Sequence, residues 1–217
     1  MRSVLVCLLL MVGPAFAAAA TSVPPAIFTD PPADQAHPAA MTVLHIPSHG
    51  VLINGLVYSP AGAGPHPTLV ICHGLPGNEK NLDLAQAVRR AGWNAVTFNY
   101  RGSWGSPGSF RFAQSLQDAD AVLAYLRDPS IAAHLRIDPK RIAIAGHSMG
   151  GWVVAHTAAH DHALIGAILI SMADMGLVGG RPRALVLEDN ILFSGPSQFN
   201  ADSQVITVLC RAMRRSE

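Results

Sequence analysis

The residues Gly146-His147-Ser148-Met149-Gly150 follow a short apolar run, Arg141 to Ala145, and open a second one, Gly150 to Ala159. The first run reads as a buried strand and the second as a helix, which places G-x-S-x-G at a strand-turn-helix junction. A turn this tight needs glycine two residues before and two residues after the serine, because Cβ atoms there would meet neighbouring backbone. Such a turn lifts the serine oxygen to the top of a sheet. It sits above a helix N-terminus whose free N–H groups favour developing negative charge. The chemistry this suits is nucleophilic attack by Ser148 on a carbonyl. The competing reading is a Gly-rich turn with an inert serine.

A second segment points to the same place. Thr68 to Cys72 reads as a buried strand and leads into His73-Gly74-Leu75-Pro76-Gly77. At the end of a parallel strand this loop can turn the Leu75 N–H toward the serine, and with the Met149 N–H it makes a two-donor oxyanion hole. The donor is backbone, so a leucine side chain is no obstacle. Alone, the loop also reads as an ordinary turn with a structural histidine.

Other reactive side chains fit less well. His156 lies eight residues along the helix from Ser148, about 12 Å away at 1.5 Å per residue, and His160 and His162 lie further on. His147 is adjacent in sequence, but the elbow is expected to turn it away. His73 is expected to be a buried turn residue rather than a substitute base. His156 and His160 share a helix face at a spacing that metals use. Only Asp161 is near enough to add a ligand, and it points elsewhere, so the cluster reads as a polar helix end and no metal or other cofactor is expected. Trp104 reads equally as a pocket wall or as packing, and Arg211, Arg214 and Arg215 as a solvated tail.

The elements that must hold these residues alternate. Met41 to Ile46 and Val51 to Tyr58 read as strands joined by a turn at 47–50, followed by a Gly/Pro loop from Pro60 to Pro67. After the strand at 68–72, Asn81 to Ala91 reads as a helix with Leu84, Val88 and Ala91 on one face. Asn94 to Phe98 is the next strand. Gly102 to Ser109 is a loop, and a helix then runs to about Arg127 with Leu116, Ala119, Val122, Leu123 and Leu126 as its inner stripe. Pro129 ends it. Leu164 to Ile170 is a further strand. Strand-helix repetition of this kind calls for right-handed crossovers and a mostly parallel sheet with helices on both faces.

The chain has 217 residues, 50% hydrophobic and 13% charged, and a formal charge of +1 from 15 basic and 14 acidic residues. That balance argues against nucleic-acid binding, which uses a strongly basic face. Three cysteines are too few for a disulfide scaffold, and Cys72 reads as a buried thiol. Arg2, the apolar run Val4 to Val12, and Ala15-Phe16-Ala17 form a signal-peptide pattern. The apolar run is too short to span ~30 Å of hydrocarbon, so export without stable membrane insertion is expected. Cys7 lies too early for lipid attachment. The organisation expected is a signal peptide at 1–20, a Pro/Ala-rich linker at 21–40 and one domain at 41–217.

With these motifs in view, the sequence resembles the α/β-hydrolase superfamily, and within it the dienelactone-hydrolase and prolyl-oligopeptidase-like branches. The residues that carry the likeness are the His73–Gly77 loop, Asn99-Tyr100-Arg101-Gly102 with Gly105-Ser106, Asp138 to Arg141, and Gly146 to Gly151. The likeness covers about Met41 to Ser171. It implies an α/β-hydrolase fold, Ser148 as nucleophile, and Leu75 and Met149 as oxyanion donors. An acid and a histidine are implied after later strands, in the chain order Ser, acid, His. Sixty-nine residues follow Ser148. Within them, Arg183 to Glu188 reads as a compressed strand that makes Asp189 the candidate acid, against a surface-loop alternative. Ser203 to Leu209 reads as a last strand, with no histidine after it. The C-terminal strands are therefore expected to be incomplete, as in a truncated or frame-shifted member.

The expected function is hydrolysis of an ester, thioester or amide in a small-molecule or peptide substrate through an acyl-serine, impaired by the missing histidine. A catalytically silent hydrolase-fold chain and an acyltransferase are the alternatives. The N-terminal pattern sets a first test. Protein recovered from the periplasm or medium should begin between Ala18 and Thr21 by intact mass. A soluble cytoplasmic product retaining residues 1–17 would contradict export.

Overall fold

The computed structural model describes residues 23–78 and 80–175. The expected signal segment, Asp189, the strand expectations at 183–188 and 203–209, Cys210 and the arginine tail lie outside the described residues.

Two strands open the domain, β1 (Ala40–Ser48) and β2 (Val51–Ser59), paired antiparallel with Ser48 opposite Val51. The two residues between them, His49 and Gly50, both have positive φ (45° and 87°), as a two-residue hairpin with right-handed strand twist requires. Then β3 (His66–Cys72), α1 (Leu82–Arg90), β4 (Asn94–Phe98), α2 (Phe112–Arg127), α3 (Pro129–His134), β5 (Ile137–His147), α4 (Met149–His160) and β6 (Gly166–Ile170) follow. The strand order is β1-β2-β4-β3-β5-β6. The β4, β3, β5 and β6 strands are parallel neighbours, as expected, and β2 joins β4 antiparallel. This is a mostly parallel α/β sheet with helices on both faces.

Period-2 alternation builds two cores from the same strands. Val70, Cys72, Val96, Phe98, Ile142 and Ile144 face α2 and α4, together with Leu123, Leu126, Val153 and Val154. Leu69, Ile71, Ala95, Ala143 and Ala145 face the other way, where Ala85 and Val88 of α1 cover them. Strands buried on both sides are near-continuous apolar runs, which is why 68–72 and 141–145 stood out.

Several boundaries differ from the sequence reading. Pro129 does end α2, but it also sits at the start of α3, where a missing N–H costs nothing. The Asp128 carboxylate caps that helix by accepting from the Ser130 and Ile131 N–H groups. The β5 strand begins at Ile137 rather than Arg141, with an irregularity opposite His66 and Thr68. Within the proline-rich 21–40 stretch, Pro25–Ile27 forms a 3-10 turn that lies on α1. There the Arg90 Nε–H donates to Ala26 O (2.6 Å), and Arg89 pairs with Asp30. Among the described residues no helix is long and apolar enough to cross a membrane.

The inner stripe of α2 carries a charge that apolar spacing did not reveal. Asp118 is fully buried and accepts from Ser48 Oγ (2.6 Å), the Arg101 backbone N–H (2.9 Å) and Arg101 Nε–H (2.6 Å). Arg101 also donates to the Gln114 carbonyl and to Gln117 Oε1. One carboxylate thus ties the hairpin, α2 and the loop after β4 together. Removing one partner of a buried ion pair leaves the other charge uncompensated, at a cost of about 3–5 kcal/mol. Asp118→Ala should lower unfolding free energy by that amount in urea titration. A loss under 1 kcal/mol would show that solvent reaches Arg101 easily.

Candidate active site

Ser148 stands between the last residue of β5 and the first of α4, with φ 55° and ψ −121°. A non-glycine residue rarely adopts this backbone, and it persists only where the surroundings fix it. Here they do. The Ser148 N–H donates to Ile170 O (3.0 Å), and its carbonyl accepts from Gly151 N–H (3.0 Å) and Ala173 N–H (3.0 Å). The exit of β6 therefore brackets the elbow.

The two flanking glycines are required by contact. A Cβ on Gly146 would lie 2.2 Å from Gly150 O, and one on Gly150 would lie 2.1 Å from Cys72 O. The first glycine lets α4 fold back across the strand end. The second lets α4 abut the C-terminal end of β3, where the neighbouring loop begins.

That loop is beside the serine. A Cβ placed on Gly74 would be 3.2 Å from Ser148 Cβ and 3.1 Å from His147 O. Leu75 follows, its half-buried side chain packed on the main core, and Met149 is buried as the first residue of α4. The Met149 N–H has no acceptor within its own helix, since the first four N–H groups of any α-helix have none. Sequence reading brought Ser148, Leu75 and Met149 to one end of the sheet, and they are together there.

The histidines fall differently. The His147 Nδ1 lies 3.6 Å from where a Cβ on Gly74 would sit, on the side of the 73–77 loop. His73 is buried, its Nδ1 2.7 Å from Gly74 O and its ring against Tyr100 at 4.5 Å. Burial and the nearby Lys80 charge pull its pKa down from 6.5 to about 4, the Gly74 contact working the other way. At neutral pH the ring is uncharged, so Nδ1 donates to Gly74 O and Nε2 is an acceptor. His73 acts as a pillar under the loop. His160 Nε2 meets Asp120 Oδ1 at 3.0 Å on an exposed helix end, and His156 packs edge-on against Trp152. Cys72 is a free, fully buried thiol that burial pushes up to about 12.

Features that the sequence did not disclose lie around the loop. Lys80 Nζ–H donates to Asn99 Oδ1 (2.6 Å), Asn99 Nδ2–H to Trp104 O (2.9 Å), and Trp104 Nε1–H to Pro76 O (2.6 Å). No spacing rule links residues 76, 80, 99 and 104, because the contact exists only once β3 and β4 pair.

A model of the alpha/beta hydrolase family matches residues 69–212. The quorum-quenching protein AidA of Acinetobacter baumannii is 32% identical over 137 residues, 60% of this chain and 43% of that protein. An uncharacterized protein of Mycobacterium tuberculosis is 30% identical over 129 residues, 59% of this chain and 44% of its own. The chain thus spans less than half the length of these relatives. Among solved structures, the thermostable carboxylesterase EstE1, cloned from a metagenomic library, superposes with a TM-score of 0.50 at 25% identity. That match covers 68% of this chain and 49% of the esterase. DcsB superposes with a TM-score of 0.54 at 22% identity, covering 61% and 45%, and shares the fold. The family match runs to residue 212, further than the motifs alone reached.

The neutral His73 gives a pH prediction. The unfolded chain binds this proton near pH 6.5 and the folded one near 4, so stability falls as pH drops between those values, by about 3 kcal/mol in all. Urea unfolding from pH 7 to 4 should show this slope, and His73→Asn should flatten it. An equal slope in both proteins would place the titration elsewhere.

Proposed function

The chain belongs to the alpha/beta hydrolase family, and from that premise we propose that it is a serine hydrolase acting on carboxylic esters or related acyl compounds. The observation that carries this reading is the backbone of Ser148, φ 55° at the strand-helix junction, so close to the 73–77 loop that a Cβ built on Gly74 would lie 3.2 Å from Ser148 Cβ. In this reading Ser148 Oγ attacks the acyl carbonyl, and the carbonyl π electrons move onto oxygen. The Leu75 and Met149 N–H groups hold that oxyanion, which collapses to an acyl-serine as the bond to the alkoxide breaks and the alkoxide takes up the proton that Ser148 gave, leaving as the alcohol. Water then attacks the acyl carbon and releases the acid. The likeness to a carboxylesterase supports esters as the substrate class. No cofactor enters this scheme. The signal-like N-terminus supports a place of action outside the cytoplasm.

The proton from Ser148 needs an acceptor, and the strength of that base sets the rate. The histidines after Ser148 in this sequence are His156, His160 and His162, two on the far turns of α4 and one just past it. Loss of the base in a serine protease costs on the order of 10⁶ in kcat, while binding and the oxyanion hole still leave about 10³–10⁴ over water. A rate that depends on Ser148 therefore reports whether such a base acts on it.

A fluorophosphonate probe tests the nucleophile. It should modify Ser148 stoichiometrically over hours, and Ser148→Ala should abolish labelling. Hydrolysis of p-nitrophenyl acetate by the purified chain should exceed that of Ser148→Ala. Serine-dependent turnover of several per second would reveal a working base, with His147 and His73 the first to substitute. No labelling at all would refute the hydrolase reading.

A further inference from the structure

We propose that Trp104 is a positioning residue that clamps the 73–77 loop through its indole N–H, and so sets the direction of the Leu75 N–H. The inference rests on the oxyanion role assigned to that loop above. Four observations converge on it. The indole Nε1–H donates to the carbonyl of Pro76, the residue directly after Leu75, at 2.6 Å. Trp104 holds a left-handed backbone, φ 47°, which is rare for a bulky side chain and needs outside support. The residue is 51% exposed, so core packing does not explain its placement. Gly77, at φ 90°, leaves the space where a Cβ would sit 2.6 Å from both Trp104 Nε1 and the His73 ring.

The support comes from the neighbouring strand. Asn99, at the end of β4, donates from Nδ2 to the Trp104 carbonyl and accepts from Lys80 Nζ–H. Trp104 is therefore held at its backbone by β4 and holds the loop after β3 at its ring. His73 supports the same loop from below through Gly74 O. A loop of five residues with a bond on each side has little freedom left, and the Leu75 N–H is the group between the two bonds. A donor aimed at a developing oxyanion contributes only if it need not reorganise during reaction, and removing one outright costs about 10²–10³ in rate.

The test compares the full chain with Trp104→Phe, which keeps an aromatic ring and removes the N–H. Asn99→Ala releases the Trp104 carbonyl as a second route to the same loosening. Amide hydrogen exchange at residues 74–78 should quicken at least tenfold in both variants, with exchange in β3 and β5 unchanged. The rate constant for fluorophosphonate modification of Ser148 should fall about tenfold with its half-saturation concentration unchanged. Equal loop exchange in wild type and variants overturns the clamp. A loosened loop with an unchanged modification rate overturns its positioning role. If Ser148 in the wild-type chain does not react at all, the hydrolase reading fails, and the exchange measurement still decides the clamp.

Discussion

The close approach of α4 to the ends of β5 and β3 is the constraint on which the rest of this structure depends. Gly150 lies where any Cβ would overlap Cys72 O, and Gly146 where any Cβ would overlap Gly150. Backbone-to-backbone contacts of this kind cannot be relieved by side-chain rotation, so two positions are fixed as glycine by geometry alone. In return, a helix N-terminus is brought to the centre of a parallel sheet, and the residue between the glycines is forced into a strained conformation. The β6 strand completes the arrangement, since its end accepts the Ser148 N–H and the chain after it donates to the Ser148 carbonyl. The fold and the geometry at Ser148 are one construction.

The strain is not confined to Ser148. Among the described residues, six non-glycines have positive φ, and four of them, Asn81, Trp104, Ser148 and Ser171, follow β3, β4, β5 and β6 in turn. Each costs on the order of 1–3 kcal/mol at most, so together they amount to a sizeable fraction of a domain's net stability. They lie at the C-terminal end of the parallel strands, where open α/β sheets bind their ligands. The offset comes from elsewhere in the molecule: two apolar cores, one on each face of the sheet, and the Asp118 carboxylate that fixes the loop after β4.

What the sequence disclosed follows from these facts. The strands 68–72, 94–98 and 141–145 were legible because burial on both faces leaves them few polar positions. The elbow was legible because its glycines are fixed by backbone overlap. The Leu75 and Met149 positions followed from chain direction. Asp118 was not legible, since one acidic residue on an apolar stripe is indistinguishable from a solvated one until Ser48 and Arg101 arrive from distant segments. The extra turn of helix after Pro129 was hidden by the same proline that marked the end of α2. The bonds around Trp104 were hidden for a third reason. They join residues brought together only by the β3–β4 pairing, and two of them are to backbone carbonyls, which carry no sequence signal.

His73 shows how these levels meet in one residue. A histidine after a buried strand invites a role in proton transfer, and its burial argues against one. Holding the ring uncharged to about pH 4 makes it a poor proton acceptor at neutral pH, and the same burial fixes its tautomer, with Nδ1–H committed to Gly74 O. The Tyr100 hydroxyl reaches toward His73 O at 3.4 Å, and Phe98 packs edge-on against Tyr100, so the histidine is continuous with the core beneath it. Packing is thereby transmitted to the loop as orientation. The burial that keeps the ring uncharged also holds it rigidly against the backbone beside Ser148.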